Sequence, residues 1–215
     1  MPFERRFSTL DRIVMEVDHA LRTSLALAPL PTRPSPSSSH VAPALSDTAR
    51  RHVVGLMRIN HSGEVCAQAL YLGQAIVAET RQLRAHLLHA AAEESDHLAW
   101  CAQRLESLHG VPSLFNPFWY LGSYVIGVVA GLAGDGYNLG FVVETERQVE
   151  AHLNDHLTSL PKEDTASRAI LAEMMADEAR HAEQADAAGA RTLPRPVPVL
   201  MAACSQLMKW VAYRI

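Results

Sequence analysis

Glu94 and His97 stand three residues apart, as do Glu178 and His181. On an α-helix that spacing puts both side chains of a pair on one face, so each pair aims a carboxylate and an imidazole at one point. Each pair also follows a lone glutamate at a nearly constant interval: Glu94 comes 30 residues after Glu64, and Glu178 comes 32 after Glu146. The chain is thereby restricted to two similar halves, each a helix with one Glu, a turn, and a helix with Glu-x-x-His. A single Glu-x-x-His is most simply a solvated helix face. Two matched copies reverse that balance, because their neighbourhoods are apolar. Val65, Cys66 and Ala67 follow Glu64, and Phe141, Val142 and Val143 precede Glu146. Four carboxylates gathered in an interior without cations would repel one another and lose hydration at high cost.

The rest of the chain is arranged around these halves. Ser8 to Leu27 reads as an amphipathic helix, with Leu10, Ile13, Val14, Val17, Leu21 and Leu25 at helical spacing. Ala28 to Ala44 is rich in Pro and Ser and is expected to be a mobile linker. Residues 1–45 therefore form a leading segment, and 46–215 a single domain. Ser46 caps a helix to about Glu79, and Thr80 caps a second to about His109, with Gly110 as its stop. Almost no loop joins them, so they are antiparallel neighbours. After a break at Val111–Pro117, no residue is charged up to Gly134. Length alone would let this stretch span a membrane, but Glu146 has to rejoin Glu64 and Glu94. The stretch at about 117–134 is better read as a crossover running the bundle's length, about 27 Å at 1.5 Å per residue, with lipid contact on its free side. Asp135–Ser159 and Glu163–Ala188 are the third and fourth bundle helices. Pro194, Pro196 and Pro198 form a stiff connector to an apolar helix at about 199–215, which suits a membrane interface and equally a cap on the core or a subunit contact.

A Glu from each of two helices plus Glu-x-x-His from each of two others is the ligand set of ferritin-like carboxylate bundles. The expected fold is therefore all-α: a ferritin-like four-helix bundle with a long crossover and added N- and C-terminal amphipathic helices. Glu64, Glu94, His97, Glu146, Glu178 and His181 are the candidate ligands. Oxygen-rich sites with one imidazole per metal suit iron or manganese better than zinc. Glu93, Asp96 and Asp177 are candidates to accept the second ring nitrogen of the histidines, and Arg180 to offset carboxylate charge. Composition narrows the partners. A net charge of −4 argues against nucleic acid. Three scattered cysteines, Cys66, Cys101 and Cys204, suggest reduced thiols and a cytosol-facing protein. Charges at Glu4, Arg5, Arg6, Asp11 and Arg12 leave no apolar run for a secretory signal. No Gly-x-Gly-x-x-Gly unit is present, so a dinucleotide domain is not expected.

Four stretches carry a closer likeness: Arg58-Ile59-Asn60-His61-Ser62-Gly63-Glu64, Glu94-Ser95-Asp96-His97-Leu98, Val143-Glu144-Thr145-Glu146 leading to His152, and Asp177-Glu178-Ala179-Arg180-His181. From about Ser46 to Ile215 the sequence resembles the bacterial 5-demethoxyubiquinone hydroxylase family of ubiquinone biosynthesis. The likeness implies that the six candidates hold two iron ions per chain. It favours Glu146 over Glu144 through the six-residue offset to His152. It implies hydroxylation of a prenylated benzoquinol ring with one atom of O2, using two electrons from NADH or another reductant. The enzyme would sit peripherally on the cytoplasmic face of the cell membrane, touching lipid, with self-association or contact with other ubiquinone-biosynthesis proteins left open. Rival functions are another ferritin-like di-iron protein, such as an iron oxidase or a tRNA hydroxylase, and a non-catalytic membrane-associated scaffold. His61 and His152 are left without an assigned role, and His156 is treated as background.

Overall fold

The computed structural model describes residues 9–24, 31–40 and 45–215, with the side chains of 9, 10 and 12–17 left out. The ends of the expected first helix, Ser8 and Leu25–Leu27, fall outside the described residues. Seven α-helices and no strand occur among the described residues: α1 (Thr9–Ser24), α2 (Asp47–Val77), α3 (Arg81–Ser107), α4 (Asn116–Gly131), α5 (Asp135–Ser159), α6 (Thr165–Ala187) and α7 (Pro196–Ala212).

Local chemistry sets the helix ends. Ser46 Oγ accepts the Ala49 N–H, and Thr80 Oγ1 accepts the Leu83 N–H, each relieving a donor that the first helical turn leaves unpaired. α6 begins at Thr165, two residues later than the expected Glu163, and Asp164 caps it by accepting from Ser167 N at 3.0 Å. The end of α3 also departs from expectation. His109, not Gly110, takes the left-handed conformation, at φ 55°. Gly110 is needed for close approach instead, since a Cβ there would lie 2.8 Å from Val54 Cγ1. The proline-rich connector is likewise shorter than expected. Pro196 and Pro198 lie in the first turn of α7, where a missing N–H costs nothing.

α2 and α3 form one antiparallel hairpin, and α5 and α6 the other. α4 carries the chain between them, running parallel to α2. Ser62 meets Asn116 near its start, Leu70 meets Gly127, and Gln74 meets Gly131 near its end. The crossing is close because glycines remove side chains at the contact. A Cβ on Gly73 would lie 2.2 Å from Tyr124 O, and one on Gly127 2.3 Å from Leu70 O. The crossover thus returns the chain to the opposite end of the bundle, where Asp135 at the start of α5 accepts the Glu79 and Thr80 N–H groups.

Two apolar layers fill the bundle. One joins Met57, Trp100, Leu105, Leu153, Ile170 and Met174. The other joins Tyr71, Leu87, Leu139, Val142 and Ala185. α7 lies against α2 through Met208 and Ala212 on Ile59. The outer faces of α4 and α7 stay apolar and exposed, at Phe118, Leu121, Val125 and Val129 and at Val199, Leu200, Leu207 and Trp210. No helix among the described residues is long and apolar enough to cross a membrane.

The Pro/Ser stretch before α2 differs from the mobile linker expected of its composition. Its described part, residues 31–40, contains a short 3-10 turn at Pro36–Ser39 and lies along α6 and α3. Prolines limit what the segment loses on ordering, and Thr32 and Arg33 supply hydrogen bonds to a carboxylate buried in α3.

Candidate metal centre

Between the two apolar layers, α2, α3, α5 and α6 each turn polar side chains inward at one level. Glu64 comes from α2, Glu94 and His97 from α3, Glu146 from α5, and Glu178 and His181 from α6. All six are at most 3% exposed. They fall into two overlapping groups whose ligand atoms lie within 4.8 Å of one another: Glu64, Glu94, His97 and Glu178, and Glu94, Glu146, Glu178 and His181. Glu94 and Glu178 belong to both groups, so each centre would have its own Glu and His and share the other two carboxylates.

The donor atoms fit a pair of cations. Both histidines turn Nδ1 inward: His97 Nδ1 lies 2.9 Å from Glu94 and 3.4 Å from Glu178, and His181 Nδ1 lies 3.4 Å from Glu94 and 3.5 Å from Glu178. Glu64 Oε2, Glu94 Oε1, Glu146 Oε1 and His181 Nδ1 are buried and have no hydrogen-bond partner. Buried polar atoms are rarely left unpaired, and oxygen atoms with imidazole are the donors that iron and manganese take.

Charge in the cluster is strongly coupled. Burial raises Glu64 well above the usual carboxylate range, helped by the charges of Glu94 and Glu178. Burial and then Glu178 do the same to Glu146. Burial opposes charging His97, but Glu94, Asp177, Glu178 and Glu64 outweigh it and raise its pKa. His181 goes up to about 11 against the same burial, through Glu178 and Glu94. Glu94 is held low despite burial by the two imidazoles.

The outer ring nitrogens are held in a crossed arrangement. His97 Nε2, on α3, donates to Asp177 of α6 at 3.0 Å; His181 Nε2, on α6, donates to Glu93 of α3 at 2.9 Å. Each accepting carboxylate therefore sits one residue before a candidate ligand Glu of the opposite helix. Arg180 donates to both, bridging Asp177 and Glu93. Asp96, a third candidate for this role, instead faces Thr32 and Arg33.

Glu144 turns away, taking a hydrogen bond from Gln148, while Glu146 is buried. His61 is fully buried with Nδ1 accepting from Asn116, and burial lowers its pKa to about 4. His152 is buried beside His156, with ring centroids 5.1 Å apart, and burial lowers the two to about 3 and about 4. Neither His61 nor His152 belongs to the six-residue cluster. His156, treated as background from sequence, donates to Asn60 at 2.9 Å. The signal for this polar layer is the run Asn60-His61-Ser62, three polar residues in succession on a helix buried on most sides.

Comparison with known proteins identifies the family. The profile of the family described as ubiquinone biosynthesis protein COQ7 matches residues 51–212. The chain is 58% identical over 214 residues to a 3-demethoxyubiquinol 3-hydroxylase of Xanthomonas campestris pv. campestris (strain 8004), covering 100% of this chain and 98% of the relative. It is 58% identical over 211 residues to the enzyme of that name from Xanthomonas euvesicatoria pv. vesicatoria (strain 85-10), covering 98% and 97%. With the one from Xylella fastidiosa (strain 9a5c) it shares 57% over 211 residues, covering 98% and 97%.

Proposed function

The chain belongs to the COQ7 family of ubiquinone biosynthesis proteins, and we propose that it is a 3-demethoxyubiquinol 3-hydroxylase working through a di-iron centre. The observation that carries this is the buried cluster of four glutamates and two histidines, with unpaired donor atoms facing one another between two apolar layers. Glu64 and His97 would hold one iron, Glu146 and His181 the other, and Glu94 and Glu178 both. The metals, when bound, supply activation of O2 for insertion of one oxygen atom into the quinol ring; the second oxygen leaves as water, with two electrons from NADH or another external reductant.

The protein's own part is placement and protection. Asp177 and Glu93 fix the tautomer and direction of the two imidazoles, leaving Nδ1 free to ligate. The apolar layers keep bulk water from the oxidising site. The free faces of α4 and α7 flank α2 on one side of the bundle, where Trp119 and Met208 share the Ile59 cluster. They suit lipid and the prenyl tail of the substrate. These exposed faces and the substrate's solubility support peripheral attachment to the membrane, and the scattered cysteines support placing it on the cytoplasmic face.

The test is anaerobic reduction of iron-loaded protein with a demethoxyquinol, then exposure to labelled O2. One labelled oxygen atom in the product ring is expected, with loss of both iron and product in Glu178→Ala. Product formation by iron-free protein, or label drawn from water, would overturn the assignment.

A further inference from the structure

Asp96 is buried at 3% exposure in the middle of α3. Its hydrogen-bond partners among the described residues come from the strap that precedes α2. Thr32 N donates to it at 2.7 Å, Thr32 Oγ1 at 2.9 Å and Arg33 Nε at 3.1 Å. The same guanidinium reaches across to α6, where Nη2 donates to Asp177 Oδ2 at 2.7 Å. It lies 4.8 Å over the Trp100 ring, and Trp100 Nε1 donates back to the Arg33 carbonyl at 3.3 Å. Two residues framed by Pro31 and Pro34 thus close over α3 and α6 together. A buried carboxylate needs such partners, so Asp96 and the strap are built for one another.

The position of the clasp gives it a role at the metal centre. Asp177 Oδ2, held by Arg33, is the oxygen that accepts the His97 Nε2–H, and Trp100 stands 5.3 Å from the His97 ring. The two halves are unequal here. Asp177 has Arg33 and Arg180 upon it and a side chain 9% exposed. Glu93, the matching acceptor for His181, has Arg180 as its one guanidinium partner among the described residues and a side chain 23% exposed. Arg33 also lies outside the stretch that the family profile matches.

We propose that Arg33 is a positioning residue for the iron on the His97 side: the Thr32–Arg33 clasp locks Asp177, Asp177 locks the His97 ring, and the clasp shuts water away from that linkage. The inference rests on His97 being a metal ligand. Partners of ligating histidines typically alter metal affinity 10–100-fold when removed; Arg33 acts chiefly through Asp177, with its Nη2 also 3.4 Å from His97 Nε2. About a tenfold effect is expected, confined to one of the two irons.

The experiment follows iron leaving the full-length, ferrous-loaded protein under argon, read as the absorbance of a ferrous chelate. In the wild-type protein the two irons set reference rates. In Arg33→Ala one iron should leave about tenfold faster while the other keeps its rate. Guanidinium chloride at millimolar concentration should restore the slow rate, and sodium chloride at equal ionic strength should not. Arg33→Lys, which keeps the charge but loses the fork that spans Asp96 and Asp177, should fall between. Circular dichroism of each variant reports that the bundle is folded. Unchanged release of both irons overturns the proposal and leaves the di-iron reading standing. Equal acceleration of both irons assigns Arg33 to general packing and also overturns it. A wild-type protein that takes up no iron overturns the di-iron reading itself, and the proposal with it.

Discussion

Loading metal-stripped protein with two ferrous ions at pH 7 is expected to release about four protons per chain. The number follows from the charge the cluster can tolerate. Burial, then the charges of Glu94 and Glu178, push Glu64 up, and burial with Glu178 pushes Glu146 up. Both shifts favour the neutral carboxyl. His97 and His181 are raised by surrounding carboxylates despite burial, and carry protons. They balance Glu94 and Glu178, which stay ionised. With two Fe2+ present, four carboxylates balance the metals and both imidazoles are neutral. With those states the six side chains are neutral both empty and loaded, and the expected exchange is four protons for two divalent ions. Acid must then weaken binding, by roughly 100-fold per ion for each pH unit. Anaerobic calorimetry in buffers of different ionisation enthalpy counts the protons. Fewer than about two, or an affinity flat between pH 6 and 8, would show that the six groups do not titrate as one buried set.

The glycines between α2 and α4 offer a paired test. Gly127→Ala puts a Cβ 2.3 Å from Leu70 O and should cost about 1–3 kcal/mol in urea denaturation. Gly122→Ala, which meets nothing within 4 Å, should gain up to about 1 kcal/mol from helix propensity. His61, His152 and His156 are held neutral by burial, at about 4, 3 and 4. The unfolded chain takes up their protons first as pH falls below about 6.5. Their contribution to stability is therefore complete above that pH and is lost toward pH 4. Each adds up to about 1.4 kcal/mol per pH unit, and His156→Gln should flatten the measured slope by about that amount. Replacing Val125 and Trp210 together with Asp should reduce cosedimentation with lipid vesicles at least tenfold, since each buried apolar side chain is worth about 1.5–3 kcal/mol; equal binding would remove α4 and α7 from the membrane surface.

Most of the bundle could be read in advance because its determinants are local. Ser46 and Thr80 mark helix starts, and the repeated Glu-x-x-His imposes two hairpins whatever the loops do. The choice of Glu146 over Glu144 agrees with their burial, because two residues on a helix differ by about 200° and one of them must turn away. What stayed hidden depends on contacts across long separations. Arg33 meets Asp96 and Asp177 at 63 and 144 residues' remove, and composition alone marked its segment as a mobile linker. His156 looked like background because its partner, Asn60, is 96 residues away. Gly110 reads as a helix stop on the usual left-handed preference, yet packing against Val54 decides it and His109 bears the positive φ.

Anomalous scattering at the iron edge from crystals of the ferrous-loaded protein tests the central claim most directly. Two peaks are expected inside the bundle, one against His97 Nδ1 and Glu64, the other against His181 Nδ1 and Glu146, with Glu94 and Glu178 reaching both. A single peak, or peaks outside this ring of six side chains, would contradict the account.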